Sequence, residues 1–229
     1  MAILFFPILL QAQTSSQDDI YRTYDEIVGL ENTGLFNGTE FTDLFLNTDG
    51  TFRYLGGFDY SKGSVNYNGQ YYVDVLLKYD LLEDNLITQS NDNLSIFNVK
   101  LIPGFVSEFN LHKRHFVNLT DSENNGFYEF AYNGNSFDLY VKHIRKKKDR
   151  VLKSNIQYSF KPSNFYLIEH NAKFSKVETI KDVTRAFPEN KSDIKEFFKS
   201  FRSLYKNDRD GFMKKLIAHL DTIGNGDKN

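Results

Sequence analysis

The chain has no cysteine and no tryptophan, and its 229 residues include only four prolines and two methionines. Without cysteine there are no disulfides, no thiolate metal centres and no lipidated cysteine of the bacterial lipoprotein kind. Charge of one sign is missing too: 28 Lys and Arg against 30 Asp and Glu leave a net charge of -2. That balance argues against a nucleic-acid-binding protein, which would be expected to be basic. Beyond residue 13 no run is long and apolar enough to form a transmembrane segment. No G-x-S-x-G elbow, H-E-x-x-H pair, P-loop or dinucleotide glycine fingerprint occurs. The sequence therefore names no reaction, no catalytic residue and no cofactor.

What is present is aromatic. Phe (22) and Tyr (14) make up 16% of the chain, and such side chains suit pleated, half-buried surfaces. The length is enough for one domain with a sizeable core. The clearest element is Gln70 to Leu81, where Tyr71, Val73, Val75, Leu77, Tyr79 and Leu81 alternate with Gln70, Tyr72, Asp74, Lys78 and Asp80. Period two predicts a strand with one buried and one wetter face. Parity predicts three-residue loops on both sides: Tyr67-Asn68-Gly69, pairing Val65 with Tyr71, and Glu83-Asp84-Asn85, pairing Leu81 with Ile87.

Further strands are expected at Thr51 to Leu55, Leu94 to Leu101, Phe105 to Leu111, His115 to Leu119, Phe127 to Tyr132, Phe137 to Ile144, Val151 to Phe160 and Phe165 to Ala172. His112-Lys113-Arg114 should turn a hairpin with Phe109 facing Val117, and the last two strands should pair with each other. From Ser175 the period becomes helical, giving about three amphipathic helices over 175–224. Pro188 stops the first, Ser192 and Asp208 cap the second and third, and Gly224 ends the last. The fold class is α+β: an antiparallel meander (sandwich, curved sheet or open barrel) over 20–174, with the helices packed on it.

The first thirteen residues, MAILFFPILLQAQ, read as the apolar part of a secretory signal, leaving 14–229 as the exported domain. Candidate chemistry is thin. His112 and His115 lie three apart at a hairpin tip without an adjacent acidic or thiol ligand, and no metal is expected there. Asp74 and Asp80 share a strand face but stand too far apart for a paired-acid site. Asn37, Asn93, Asn118 and Asn190 begin N-x-S/T triplets, read as chance in an Asn-rich chain. The one charge anomaly is Arg145, Lys146, Lys147 and Lys148, which as a solvated hairpin tip would keep edges apart and as a site would bind anionic headgroups or an acidic partner.

The chain resembles a family of small exported proteins of Bacteroidetes bacteria. The likeness lies in Leu35-Phe36-Asn37-Gly38 with Glu40-Phe41, Gly63 to Tyr71, Asp74-Val75, Lys78 to Leu81 before Asp84, Gly126 to Glu129, and the Lys/Phe-rich helical tail. These motifs are structural and bring no functional residues with them. The expectation is a periplasmic or secreted, non-enzymatic binding or accessory protein of the cell envelope, with another envelope protein or an apolar ligand as partner. The alternative is a periplasmic carrier holding a lipid or lipidated peptide between sheet and helices.

Overall fold

The structure is a computed structural model, and it describes residues 19–23, 29, 33–90, 96–121, 123–153 and 155–226. The segment read as a signal, 1–13, lies outside the described residues. The described chain is α+β. Thirteen strands run β1 (Thr39–Glu40), β2 (Ser61–Tyr67), β3 (Gln70–Asp80), β4 (Asn85–Gln89), β5 (Asn98–Lys100), β6 (Val106–Leu111), β7 (Arg114–Thr120), β8 (Asn125–Asn133), β9 (Asp138–Lys142), β10 (Arg145–Val151), β11 (Ile156–Pro162), β12 (Phe165–His170) and β13 (Lys173–Val177). Four helices follow: α1 (Ile180–Ala186), α2 (Lys191–Ser200), α3 (Arg202–Asn207) and α4 (Arg209–Gly226). Eleven strands form one antiparallel sheet in the order β1-β5-β4-β3-β2-β6-β7-β8-β9-β12-β13, and β10 pairs with β11 as a separate ribbon.

The central strand keeps its predicted parity only beyond Asp74. Val75, Leu77, Tyr79 and Leu81 are buried, as are Val65 and Tyr67 of the neighbouring segment. Before that point Tyr72 is buried, whereas Tyr71 and Val73 are half-exposed. The reason is a bulge: Gly63 pairs with Val75 but Val65 with Tyr72, and Asp74 takes the left-handed conformation (φ 56°). One extra residue reverses the facing of everything before it. The bulge also removes the parity objection to a two-residue loop. Tyr67 pairs with Gln70, and Asn68 (φ 52°) and Gly69 (φ 79°) form the turn, in place of the expected three-residue loop.

Other expectations are corrected in the same way. Asp80 pairs with Asn85, so the second turn is Leu81 to Asp84 and Leu81 does not face Ile87. His112 and Lys113 alone connect β6 to β7, and Phe109 faces Phe116, not Val117. Thr51 to Leu55 supplies only an isolated bridge from Tyr54 to Asp80. The segment from Ser175 is not yet helical: β13 continues to Val177, and α1 begins after Thr179, whose side chain forms a capping box with Asp182. Asn190, not Ser192, is the cap position of α2; the predicted second helix breaks at Phe201 into α2 and α3, and α4 continues to Gly226. Asp208 does cap α4, accepting from the Gly211 N–H at 2.9 Å.

The sheet curls on itself. β3 and β8 are four strands apart in the order, about 19 Å in a flat sheet at roughly 4.8 Å per strand. Yet the Tyr79 and Phe127 rings meet at 5.9 Å, and Tyr79 also makes edge contacts with Phe109 and Phe116, each at 5.3 Å. This aromatic knot sits in a core built from β2, β3, β4, β6, β7 and β8. A second core joins β9, β12 and β13 to the helices through Leu139, Ile168, Val183, Ile194, Phe212 and Leu216. The helices thus cover only that end of the sheet. Asp221 of α4 clamps it there, accepting from the Asn135 N–H at 2.9 Å and the Ser136 N–H at 2.7 Å. Burial opposes its ionisation, but those donors and the Tyr132 hydroxyl outweigh it and hold the carboxyl below its usual range.

The curl is closed by a polar seam. Asp84 accepts from the Tyr79 hydroxyl at 2.5 Å and from the buried Lys142 ammonium at 2.6 Å, while Lys142 also donates to the Phe127 carbonyl at 3.0 Å. Asp84→Ala strands Lys142 in the interior, and a loss of about 3 kcal/mol is expected in urea unfolding; a loss under 1 kcal/mol would rule out the seam. At the β12–β13 turn Ala172 is held at φ 57°, a conformation costing an L-residue about 1 kcal/mol. Ala172→Gly is therefore expected to raise stability by several tenths of a kcal/mol or more, read as a higher midpoint at unchanged m-value.

Candidate functional site

The face of β3 expected to be wet is largely covered. Lys78 is 6% exposed and Asp80 fully buried. The cover is the segment 41–60. Arg53 donates to Asp80 in a buried ion pair, and its guanidinium lies over the Phe45 ring at 5.0 Å and the Tyr54 ring at 5.5 Å. The main chain joins in, with Leu55 N–H donating to the Tyr79 carbonyl at 2.9 Å and Leu81 N–H to the Arg53 carbonyl at 3.0 Å. Burial works against the Arg53 charge, but Asp80 more than compensates and holds its pKa above the ordinary value.

Between this cover and the sheet lies an open cavity of about 720 Å³. Its floor is a row across three strands, Leu76 and Lys78 of β3, Gln89 of β4 and Asn98 of β5. Its walls are aromatic. The Lys78 ammonium stands 4.1 Å from the Tyr60 ring centroid, 4.4 Å from Phe58 and 4.7 Å from Tyr54. Among the described residues no carboxylate lies within ion-pair distance of it and no oxygen accepts a hydrogen bond from it. Burial lowers its pKa, an effect that the more distant Asp43 and Asp59 only partly offset.

The other polar groups are already oriented. Tyr54 donates to Asp43 at 2.5 Å, and Asn98 Oδ1 accepts from the Tyr60 hydroxyl at 2.8 Å and from Gln89 Nε2 at 3.0 Å. Burial pushes both phenols well above the usual range, so they act as neutral donors. The mouth carries Leu46, Phe58, Ile96 and Phe97, all exposed. The site thus offers a charged donor with three unused N–H bonds, fixed amides and flat apolar walls, the mixture that orients a small ligand.

The groups singled out in the sequence are not brought together. Arg145, Lys146, Lys147 and Lys148 open strand β10 and are not a hairpin tip. The five histidines are scattered. His112 lies against Gly56, His115 is 3.1 Å from Asn110 Oδ1, and His170 and His219 stack on Phe137 and Phe197. His143 Nε2 is 2.6 Å from Glu129, and its Nδ1 is 3.1 Å from the Asn164 amide. No cluster of three or more metal-ligating side chains occurs among the described residues. Asp74 pairs at the surface with Arg22, and no described helix is long and apolar enough to cross a membrane. Lys78, Tyr54, Phe58 and Tyr60 were missed as a site; the one available signal was a lysine inside the most apolar strand.

Comparison with protein-family models, with curated proteins and with solved structures finds no match to this chain.

Because burial depresses Lys78, the stability linked to it is lowest where both folded and unfolded chains are protonated. It grows as pH rises through the lowered folded value towards the unfolded one. Competitive acetylation followed by peptide mass spectrometry is expected to give Lys78 a midpoint below the ordinary lysine value of 10.5. A midpoint at or above that value would refute the caged, unpaired ammonium.

Proposed function

We propose that the protein is an exported, non-enzymatic binding or accessory module of a bacterial cell envelope, with the cavity around Lys78 as its ligand site. The ligand is a small polar molecule that brings a hydrogen-bond acceptor to the ammonium and an apolar face to the rings. The observation that carries this reading is the Lys78 ammonium, lining the cavity and ringed by three aromatic faces with no carboxylate partner among the described residues. Its Nζ faces the open cavity, where an incoming acceptor can take the place of water and gain a charge-assisted hydrogen bond beside the rings. Export and envelope location rest on the apolar N-terminal segment and on the resemblance to small exported Bacteroidetes proteins.

The carrier reading would put an apolar ligand between sheet and helices. That interface is packed with Leu139, Tyr166, Ile168, Ile194, Phe212 and Leu220, all buried, so the polar–aromatic cavity on the other part of the sheet has the better support. Native mass spectrometry of the chain isolated from its own envelope tests the proposal. An added mass is expected on the wild type and not on Lys78→Met, with the Tm of the two ligand-free proteins within a few degrees. An added mass on both, or on neither, would overturn it.

A further inference from the structure

The β10–β11 ribbon has two unlike faces. Arg145, Lys147 and Asp149 share one with Tyr158 and Phe160, and this face meets the body: Lys147 lies over the Phe45 ring at 4.6 Å, and Tyr158 packs on the same ring at 5.0 Å. The other face carries Lys146, Lys148 and Arg150, opposite Lys161, Ser159 and Gln157 respectively. The ribbon gives this face four cations, no acid and no apolar side chain, and Asp49 stands at its edge near Lys161. Lys146 and Lys161 are direct cross-strand partners, a like-charge pairing that is unfavourable by itself. Residues 145–161 contain seven basic side chains and one acidic one, in a chain whose overall net charge is -2.

The end of the ribbon carries three exposed aliphatic side chains. Val151 and Ile156 are cross-strand partners and are 81% and 44% exposed, and Leu152 beside them is 37% exposed. Arg150 precedes them and Lys153 lies in the loop between them, both exposed. Val151 and Ile156 share the parity of Asp149 and Tyr158 and so stand off the side opposite the four cations. We propose that β10–β11 is a membrane-docking hairpin that enters tip-first: Val151, Leu152 and Ile156 insert into the interface of an anionic bilayer, while Arg150 and Lys153 at the tip, and Lys146, Lys148 and Lys161 behind them, meet its headgroups. The basic face alone would suit any polyanion. The apolar tip is what selects a bilayer, since a nucleic acid or an acidic polysaccharide offers nothing for three aliphatic side chains to enter. This inference is independent of the Lys78 cavity.

The full chain supplies its own probe site, because it contains no tryptophan. Leu152→Trp is expected to show blue-shifted emission, and the wild type to co-sediment, with phosphatidylcholine vesicles containing a quarter phosphatidylglycerol, and neither with phosphatidylcholine alone. Replacing Lys146, Lys148 and Arg150 together by Ser should weaken binding on the order of 100-fold, about fivefold per charge. Replacing Val151 and Ile156 by Ser leaves every charge in place and should still weaken it at least about tenfold. Absence of vesicle binding would overturn the proposal. So would binding with unshifted emission and full affinity in the Val151/Ile156 variant, which would make the ribbon a general polyanion site. Lys78→Met should bind vesicles as the wild type does.

Discussion

The structure hangs on one turn, Leu81 to Asp84, and on the carboxylates at its two ends. Asp80 is sealed against Arg53 and also accepts from the Leu82 N–H at 3.0 Å, which fixes the entry to the turn. Asp84, in the left-handed conformation, reaches the other way to Tyr79 and Lys142. The same turn therefore pins the segment 41–60 to one side of the sheet and β8 and β9 to the other. Desolvating such charges costs several kcal/mol each unless the partners arrive in register. Their main effect is then to exclude arrangements in which β3 and β8 stand apart.

With the curl fixed, the division of labour between the two cores follows. The aromatic knot around Tyr79 fills the curled half without help from the helices, and the straighter end, β9, β12 and β13, is left to be covered by them. The helices are tied down by polar contacts at points where polar groups of the sheet and its loops would otherwise be orphaned. Asp221 serves the β8–β9 loop, and Asp210 accepts from the Tyr166 hydroxyl at 2.7 Å. Buried polar groups of this kind add little net stability but allow one docking geometry among many apolar ones.

The α+β class, the run from Val75 to Leu81 and the amphipathic tail were legible because each is a periodic signal over many residues. Three things were not. Asp74 at φ 56° leaves no mark in the alternation, since Tyr71, Tyr72 and Val73 are apolar on both parities. The turns His112-Lys113 and Asn171-Ala172 have left-handed backbones without glycine, so turn chemistry could not announce them. And β10 reads as a loop because neither of its faces is apolar before Val151; its strand character comes from pairing with β11 and from Phe45 beneath it. The Lys78 cavity was invisible for a related reason. A period of two says that two faces differ, but not that a segment some 30 residues upstream will fold over the wetter one.

Cavity and ribbon are also neighbours: the segment 41–60 that walls the cavity hydrogen-bonds β11 through Asn47, Asp49 and Thr51, and Phe45 packs between them. Phe45 lies under Arg53 on one side and against Lys147, Tyr158 and Phe160 on the other, and its N–H donates to Asp43 at 3.0 Å. Asp43 in turn holds the Tyr54 hydroxyl, and Tyr54 forms part of the cage on Lys78. Packed aromatic contacts of this sort shift between discrete arrangements and do not yield gradually. A ligand that moved Tyr54 would therefore act on the ribbon only if Phe45 or the hydrogen-bonded segment 47–52 changed its seat, and it could favour one ribbon position only by binding the two arrangements with different affinity. Short of such a change, these contacts seat the ribbon on the segment that walls the cavity, so that whatever surface the ribbon meets also sets how the cavity is presented.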